Sequence, residues 1–305
     1  MTYSDETSCD LVVSVKNLIR DFGEKRALKG INLNLAPGNV MGLLGENGAG
    51  KTTLIKHLLG LLKAQSGSVR VFGKNPVEDP VGVLSRIGYL SEEPDLPGWM
   101  TITELMRYQS AFYASWDMAY ANQLLDVFEL NPKARIKTLS KGQRARTGLV
   151  AAQAFRPDLL LLDEPSSGLD PIVRRDILNA IIRTVAEEGR TVLFSSHLLE
   201  EVEQVSDLLT MITSGNIVLS GTTDDILMEH HAVVVRCERE EEPRFEGMLK
   251  ATPMGKEWLL HCRGDWDFIQ SQLQTHDLKM QSQRNMSLND IFVAHSGKSL
   301  EQVAS

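Results

Sequence analysis

Gly45-Glu46-Asn47-Gly48-Ala49-Gly50-Lys51-Thr52 fits the pattern G-x-x-x-x-G-K-[ST]. Its glycines let the backbone curl until successive N–H groups point inward at phosphate oxygens. A helix starting near Gly50 adds its positive N-terminal end to that cradle. In such a loop Lys51 reaches the β- and γ-phosphates, and the Thr52 hydroxyl holds Mg²⁺. Chance alone produces the pattern in roughly 1 in 100 chains of this size, but chance asks nothing of the surroundings. Here Val40 to Leu44 reads as a short buried strand entering the loop, and residues 50–62 read as a helix leaving it. That helix should end near Leu62 and Lys63, before the Ser66-Gly67 turn.

Moving outward, Leu11, Val13 and Val15 share one face of a period-2 pattern, and Ile31, Leu33 and Leu35 share one face of another. From about Thr103 to Pro157 the pattern is helical, broken at Pro132 and around Thr138–Ser140. Leu159 to Leu162 is a second fully apolar strand, and Asp163-Glu164 places two acids at its end. In a parallel sheet the strand ends form the ligand crevice. Asp163 there would orient Mg²⁺ or its waters, and Glu164 would polarise a water in line with the γ-phosphate. Asp170-Pro171 opens a helix whose apolar positions are Val173, Ile177, Ile181 and Val185, with Gly189 as its stop. Thr191 to Phe194 is a third buried strand, and Leu208 to Leu219 reads as a hairpin around Ser214-Gly215-Asn216. Strands alternating with helices predict a mainly parallel α/β sheet.

The chain has 305 residues, enough for two domains and for a large core without disulfides. It carries 32 basic and 40 acidic residues for a net charge of -8, which gives no footprint for nucleic acid. Split after Gly221, the front holds 23 basic and 26 acidic residues and the tail 9 and 14, so neither part resembles a nucleic-acid arm. The tail, 222–305, changes character: Glu238 to Glu242 are all charged, Pro243 follows, and later strands and helices are weakly signalled. It is expected to be a small α+β appendage. Cys9, Cys237 and Cys262 are scattered and odd in number, which argues against a disulfide framework or a zinc site. No apolar run approaches the roughly 18 residues of a membrane span, and Met1 to Asp10 is unlike a signal peptide.

Between the P-loop and Asp163 lies Leu139-Ser140-Lys141-Gly142-Gln143. Ser140 and Gln143 form an S-x-x-Q capping box that opens a helix ending before Pro157. Together with the P-loop and the Leu159–Glu164 strand, this resembles the signature of the ATP-binding cassette (ABC) family, usually L-S-G-G-Q, over residues 11–221. The resemblance implies a P-loop cassette with N-terminal antiparallel strands and a helical subdomain at about 93–157. It implies ATP with Mg²⁺, bound by Phe22, Gly45 through Thr53, Glu92, Ser140, Gly142, Gln143 and Asp170. Thr52, Glu92 and Asp163 would serve the metal, and Glu164 and His197 would serve catalysis. Phe22 would stack on adenine or else be a core phenylalanine, and it stands where tyrosine is more usual. Ser140 and Gly142 would serve the nucleotide of an opposing subunit in a head-to-tail dimer. Ser167 to Asp170 resembles the loop through which two subunits communicate, and His197 resembles the histidine that contacts the γ-phosphate.

Two further departures stand out. In Ile87-Gly88-Tyr89-Leu90-Ser91-Glu92, Glu92 replaces the usual glutamine, with Glu93 adjacent as an alternative alignment; Lys141 replaces the first signature glycine. These forms, with Phe112-Tyr113-Ala114-Ser115-Trp116-Asp117, resemble bacterial ABC-2-type export ATPases. The resemblance implies a separately encoded membrane permease, a homodimer or a dimer with a related ATPase, and a place on the inner face of the cell membrane. Trp99, beside Pro97-Gly98, is expected at the permease interface, whereas Phe112 and Trp116 fit the small core of the helical subdomain. The alternative is a soluble ABC ATPase of translation or DNA repair. Such proteins carry two cassettes, long coiled coils or zinc modules, none of which this sequence has.

Overall fold

The computed structural model describes residues 11–186, 189–236 and 242–296. Met1 to Asp10 with Cys9, Cys237, and Glu238 to Glu241 of the charged run lie outside them. The chain divides into two compact units after Ile217. In the first, β1 (Val13–Phe22), β2 (Lys25–Leu35) and β4 (Ser66–Val71) form an antiparallel sheet in the order β2-β1-β4. Val13, Val15, Ile31, Leu33 and Leu35 are buried on it as their period-2 spacing requires. A register shift between Val15 and Leu18, with Asn17 at φ 48°, moves the next buried side chain of β1 to Leu18.

A second sheet carries the site. Its parallel strands are β3 (Val40–Leu44), β5 (Ile87–Leu90), β6 (Leu159–Asp163), β7 (Thr191–Ser196) and β8 (Leu208–Thr213). They lie in the order β5-β6-β7-β3-β8. Every residue of β3, β6 and β7 is buried, as expected of parallel strands covered on both faces. Leu44 pairs with Ser196 and Asp163 with Ser195, so the ends of β6, β7 and β3 fall side by side. β9 (Asn216–Thr222), within which the division into units falls, follows β8 through a turn with Ser214 at φ 48° and Gly215 at φ 81°.

Helix α1 (Lys51–Leu58) leaves the P-loop but stops short of the expected Leu62. Gly60 sits at φ 71°, and the N–H groups of Leu61 and Leu62 bond back to Lys56 O. This left-handed ending closes the last turn. A Cβ on Gly60 would also lie 2.4 Å from Pro76 O, so no other residue fits there.

After α2 (Pro80–Leu84) come α3 (Ile102–Ser110), α4 (Met118–Val127) and α5 (Lys141–Gln153). Thr101 with Glu104 forms a capping box on α3, and Asp117 caps α4. Their core holds Leu105, Met106, Ala121, Leu125, Leu149 and Val150. Phe112 is not part of it: the residue is 65% exposed, and its ring meets Tyr108 edge-on. Tyr113 supplies the aromatic packing instead, stacked on Phe155 with centroids 3.8 Å apart, while Trp116 is half-buried. Helix α6 (Pro171–Ala186) buries Val173, Ile177 and Ile181; the side chain of Val185 lies outside the described residues. Helix α7 (Leu199–Val205) presses so closely on β3 that a Cβ on Gly42 would meet Val202 Cγ1 at 2.4 Å.

The second unit holds α8 (Thr223–Met228), β10 (His230–Arg236), β11 (Met248–Met254), β12 (Glu257–Arg263), α9 (Trp266–Thr275), β13 (Lys279–Asn285) and α10 (Leu288–Ser296). Its antiparallel sheet runs β11-β12-β10-β13 around a core that includes Val233, Val235, Leu260, Ile269 and Leu273. Cys262 is a buried free thiol in this core, its pKa pushed up to about 12 by desolvation.

Imidazoles are also buried here. His230 Nδ1 lies 2.7 Å from Ile226 O, and its Nε2 lies 3.0 Å from His295 Nε2. Burial, then the charge of His230, drives His295 from the ordinary 6.5 down to about 4. A histidine held neutral when folded lets the unfolded chain bind the extra proton between those values, so stability falls as pH drops through that window. The melting temperature should therefore decline between pH 6.5 and about 4. His295→Gln, which still offers a donor to His230, should flatten the decline in a pH series of thermal melts.

Candidate nucleotide site

Because β3, β6 and β7 end together, three loops converge. The loop after β3 supplies the cradle. Gly48 sits at φ 80° and Gly50 at φ 117°, and a Cβ on Gly50 would come within 3.0 Å of Ala27 O. Both conformation and space require glycine there. Gly50 is the N-cap of α1 and no side chain caps that helix, so its leading N–H groups are left for a ligand. The Gly45 N–H bonds Ser196 O at 3.2 Å and the Ala49 N–H bonds Glu46 O at 3.1 Å, which fixes the loop to β7 and to itself.

Lys51 Nζ donates to the carbonyls of Gly45 and Glu46 and lies 2.8 Å from Glu164 Oε1. Lys51 and Glu164 are only 5% and 7% exposed, so each charge depends on the other. The second Glu164 oxygen, Oε2, contacts His197 Nδ1 at 2.7 Å. Oε1 has the Lys51 ammonium beside it. Glu164 also sits at φ 49°, a conformation costing a non-glycine residue about 1–3 kcal/mol. Ser195 holds it there: its Oγ accepts the Glu164 N–H at 2.9 Å and donates to Asp163 Oδ1 at 2.8 Å.

Asp163 is buried, and desolvation raises its carboxyl above the ordinary range. Hydrogen bonds from Ser195 and Thr52 oppose the shift, Glu164 adds to it, and Lys51 opposes it. Thr52 Oγ1 donates to Asp163 Oδ1 at 3.1 Å. A hydroxyl beside a desolvated carboxylate offers the hard oxygens that Mg²⁺ takes when phosphates and waters complete its octahedron. The residues present fit that ion.

A pocket of about 350 Å³ is lined by Phe22, Glu46, Asn47, Gly48, Gly50, Lys51, Thr52, Thr53, Glu92 and Glu164, among others. Phe22 is 47% exposed, not a core residue, with the Arg20 guanidinium 4.7 Å from its ring centroid. Glu92, not Glu93, lines this pocket, and its Oε1 accepts from Ser167 Oγ at 2.9 Å. Ser140, Gly142, Gln143 and Asp170 do not line it. Ser140 and Gln143 form the expected capping box, and Gly142 is buried with its Cβ position 2.9 Å from Val173 Cγ2. The Asp170 carboxylate caps α6 by accepting from the N–H groups of Ile172 and Val173. Sequence reasoning missed Ser166, Ser195, Ser196 and Glu201, whose polar side chains tie β7 and α7 to the loop after β6.

With fold and site in view, comparison with known proteins is direct. The family described as "ABC transporter" matches residues 28–167. "Daunorubicin resistance ATP-binding protein DrrA3" of Streptomyces coeruleorubidus is 35% identical over 225 residues, 72% of this chain and 71% of that protein. "Bacitracin transport ATP-binding protein BcrA" of Enterococcus faecalis is 34% identical, covering 68% of each. A solved "ATP binding subunit of ABC transporter" superposes with a TM-score of 0.65 at 29% identity, covering 70% of this chain and 91% of that one. This chain belongs to the ABC transporter family. It is an ATP-binding, ATP-hydrolysing transporter subunit, and the reading as a translation or repair ATPase finds no support.

Ser195→Ala should leave the buried Glu164 N–H and one Asp163 oxygen each short of a partner. Chemical denaturation should register a loss of about 1–3 kcal/mol, with the midpoint falling and the m-value unchanged.

Proposed function

We propose that the chain is the ATPase of a membrane exporter, working with Mg²⁺ as a head-to-tail pair of cassettes on the inner face of the cell membrane. Residues 1–221 form the cassette, with 93–157 as its helical part, and 222–305 form an accessory domain. One observation carries the hydrolytic assignment: Glu164 lines the P-loop pocket, with Oε2 held by His197 and Oε1 beside the Lys51 ammonium. A carboxylate so placed orients a water towards the γ-phosphorus and takes its proton as the bond to phosphorus forms. Lys51 shifts from its carbonyl partners onto the β- and γ-phosphates and offsets the charge on the leaving ADP. His197 steadies Glu164 and faces the γ-phosphate. Thr52 and Asp163 would hold Mg²⁺, which when bound would neutralise phosphate charge. Glu92, on the loop after β5, would be a further ligand to the same ion. Phe22 offers its exposed ring to adenine.

Ser140, Gly142, Gln143 and Asp170 lie off this pocket, which suits a role on the nucleotide held by a second copy. Export follows from the names of the relatives, which concern daunorubicin resistance and bacitracin transport. No helix among the described residues is long and apolar enough to cross a membrane; the proposal assigns the pathway to a separate permease. A groove of about 440 Å³, lined by Leu61, Tyr89, Leu96, Gln109 and Tyr113 among others, offers that permease a seat for a short helix. Trp99 is 70% exposed and suits an interface anchor.

Glu164→Gln should bind ATP, hydrolyse it very slowly and accumulate as an ATP-held dimer. Tagged and drawn from detergent-solubilised native membranes with ATP present, it should bring down a multi-span membrane protein at stoichiometric yield. Ribosomal or DNA-processing partners in a soluble fraction would refute the exporter. Trp99→Ala should weaken permease binding by about tenfold or more and leave nucleotide affinity alone; unchanged coupling in reconstituted vesicles would remove Trp99 from the interface.

A further inference from the structure

Glu201 sits on α7, is 2% exposed, and does not line the P-loop pocket. Both its oxygens are engaged: Oε1 accepts from Ser166 Oγ at 2.6 Å and Oε2 accepts from Ser196 Oγ at 2.6 Å. Arg174 Nε of α6 stands 3.3 Å from Oε1. Ser166 follows Glu164 by two residues, and Ser196 immediately precedes His197. Ser196 Oγ also accepts the Leu198 N–H at 3.0 Å, closing the turn that carries His197. One carboxylate therefore grips the loop after Glu164, the strand end before His197, and the helix that Asp170 caps.

Burying a carboxylate is costly unless it is paired and hydrogen-bonded. Packing alone does not call for it, because Val202 and Val205 already supply the apolar face of α7. What the charge adds is direction. Each oxygen fixes one serine hydroxyl, and each serine fixes one side of the 2.7 Å contact between His197 and Glu164.

The geometry points to Glu201 as a positioning residue for ATP hydrolysis, acting through Ser166 and Ser196 to keep His197 on Glu164. This inference rests on the reading of Glu164 and His197 as the hydrolytic pair. A group that acts only by aligning other groups should affect turnover and leave ground-state nucleotide binding intact.

Glu201→Ala should lower kcat for ATP by about tenfold or more, with KM and the Kd of a fluorescent ATP analogue within about twofold of wild type. Glu201→Gln presents an oxygen to one serine and an amide N–H to the other, and should recover kcat to within about threefold of wild type. In a His197→Ala background Glu201→Ala should cost less than about threefold further, because the group it positions is gone. A staple that merely supports the fold would give independent, additive losses instead. Wild-type kcat in a folded Glu201→Ala protein would overturn the inference, as would the full loss persisting without His197 or a kcat loss matched by a rise in KM. Should Glu201→Ala not fold, the Ser166→Ala, Ser196→Ala double variant decides: lowered kcat at unchanged KM is expected, and wild-type turnover overturns. Glu164→Gln serves as the control. Fast turnover there would undo the hydrolytic assignment itself, whereas slow turnover beside a normal Glu201→Ala enzyme would undo this inference alone.

Discussion

Lys51 and Glu164 meet at 2.8 Å with almost none of either side chain exposed, and much of the surrounding architecture serves that contact. Taking two charges out of water costs several kcal/mol per ion, and attraction repays it only when other hydrogen bonds satisfy the rest of each group. Lys51 meets that condition with two loop carbonyls. Glu164 meets it with His197 on one oxygen and the Lys51 ammonium on the other. A triphosphate entering the loop offers Lys51 stronger partners than those carbonyls, and in moving it would release Glu164 to a water.

The sheet makes the contact possible. β6, β7 and β3 are neighbours only because the strand order is not the chain order, and the pairing of Asp163 with Ser195 and Leu44 with Ser196 sets their ends level. Two consecutive serines then divide the labour by the alternation of a strand. Ser195 turns to Asp163 and the Glu164 backbone, whereas Ser196 turns to Glu201. A one-residue slip of β7 would exchange these partners and present each hydroxyl to the wrong face.

What could be read from the sequence follows from how local each device is. The P-loop is legible because eight consecutive residues build it, and the strand before and helix after can be checked independently. The Ser140–Gln143 box is legible for the same reason, since its two members lie within one turn. Asp163 and Glu164 become meaningful only beside the P-loop, and the one serine that bonds both, Ser195, lies 32 and 31 positions away on another strand. Ser195-Ser196 in a buried apolar strand carries no signal by itself. The end of α1 was misplaced because Leu61 and Leu62 continue an apolar pattern while Gly60, held against Pro76, ends the helix. The second unit was faint because β13 exposes every one of its seven residues, leaving no alternation to detect.

Two helix starts enter the proposed chemistry, and they are built differently. α5 begins with a complete capping box, in which Ser140 and Gln143 satisfy each other's backbone N–H groups. α1 begins at Gly50 with no side chain capping it. The first turn of α5 is therefore stable alone, while that of α1 still has hydrogen-bond donors to place. A phosphate gains more at α1, where it fills unmet bonds, than at α5, where only the donors beyond the box remain. In the paired arrangement proposed above, this difference orders the events. Nucleotide would seat first on the P-loop of one copy, and only then would its γ-phosphate become an anion for the α5 start of another copy to share.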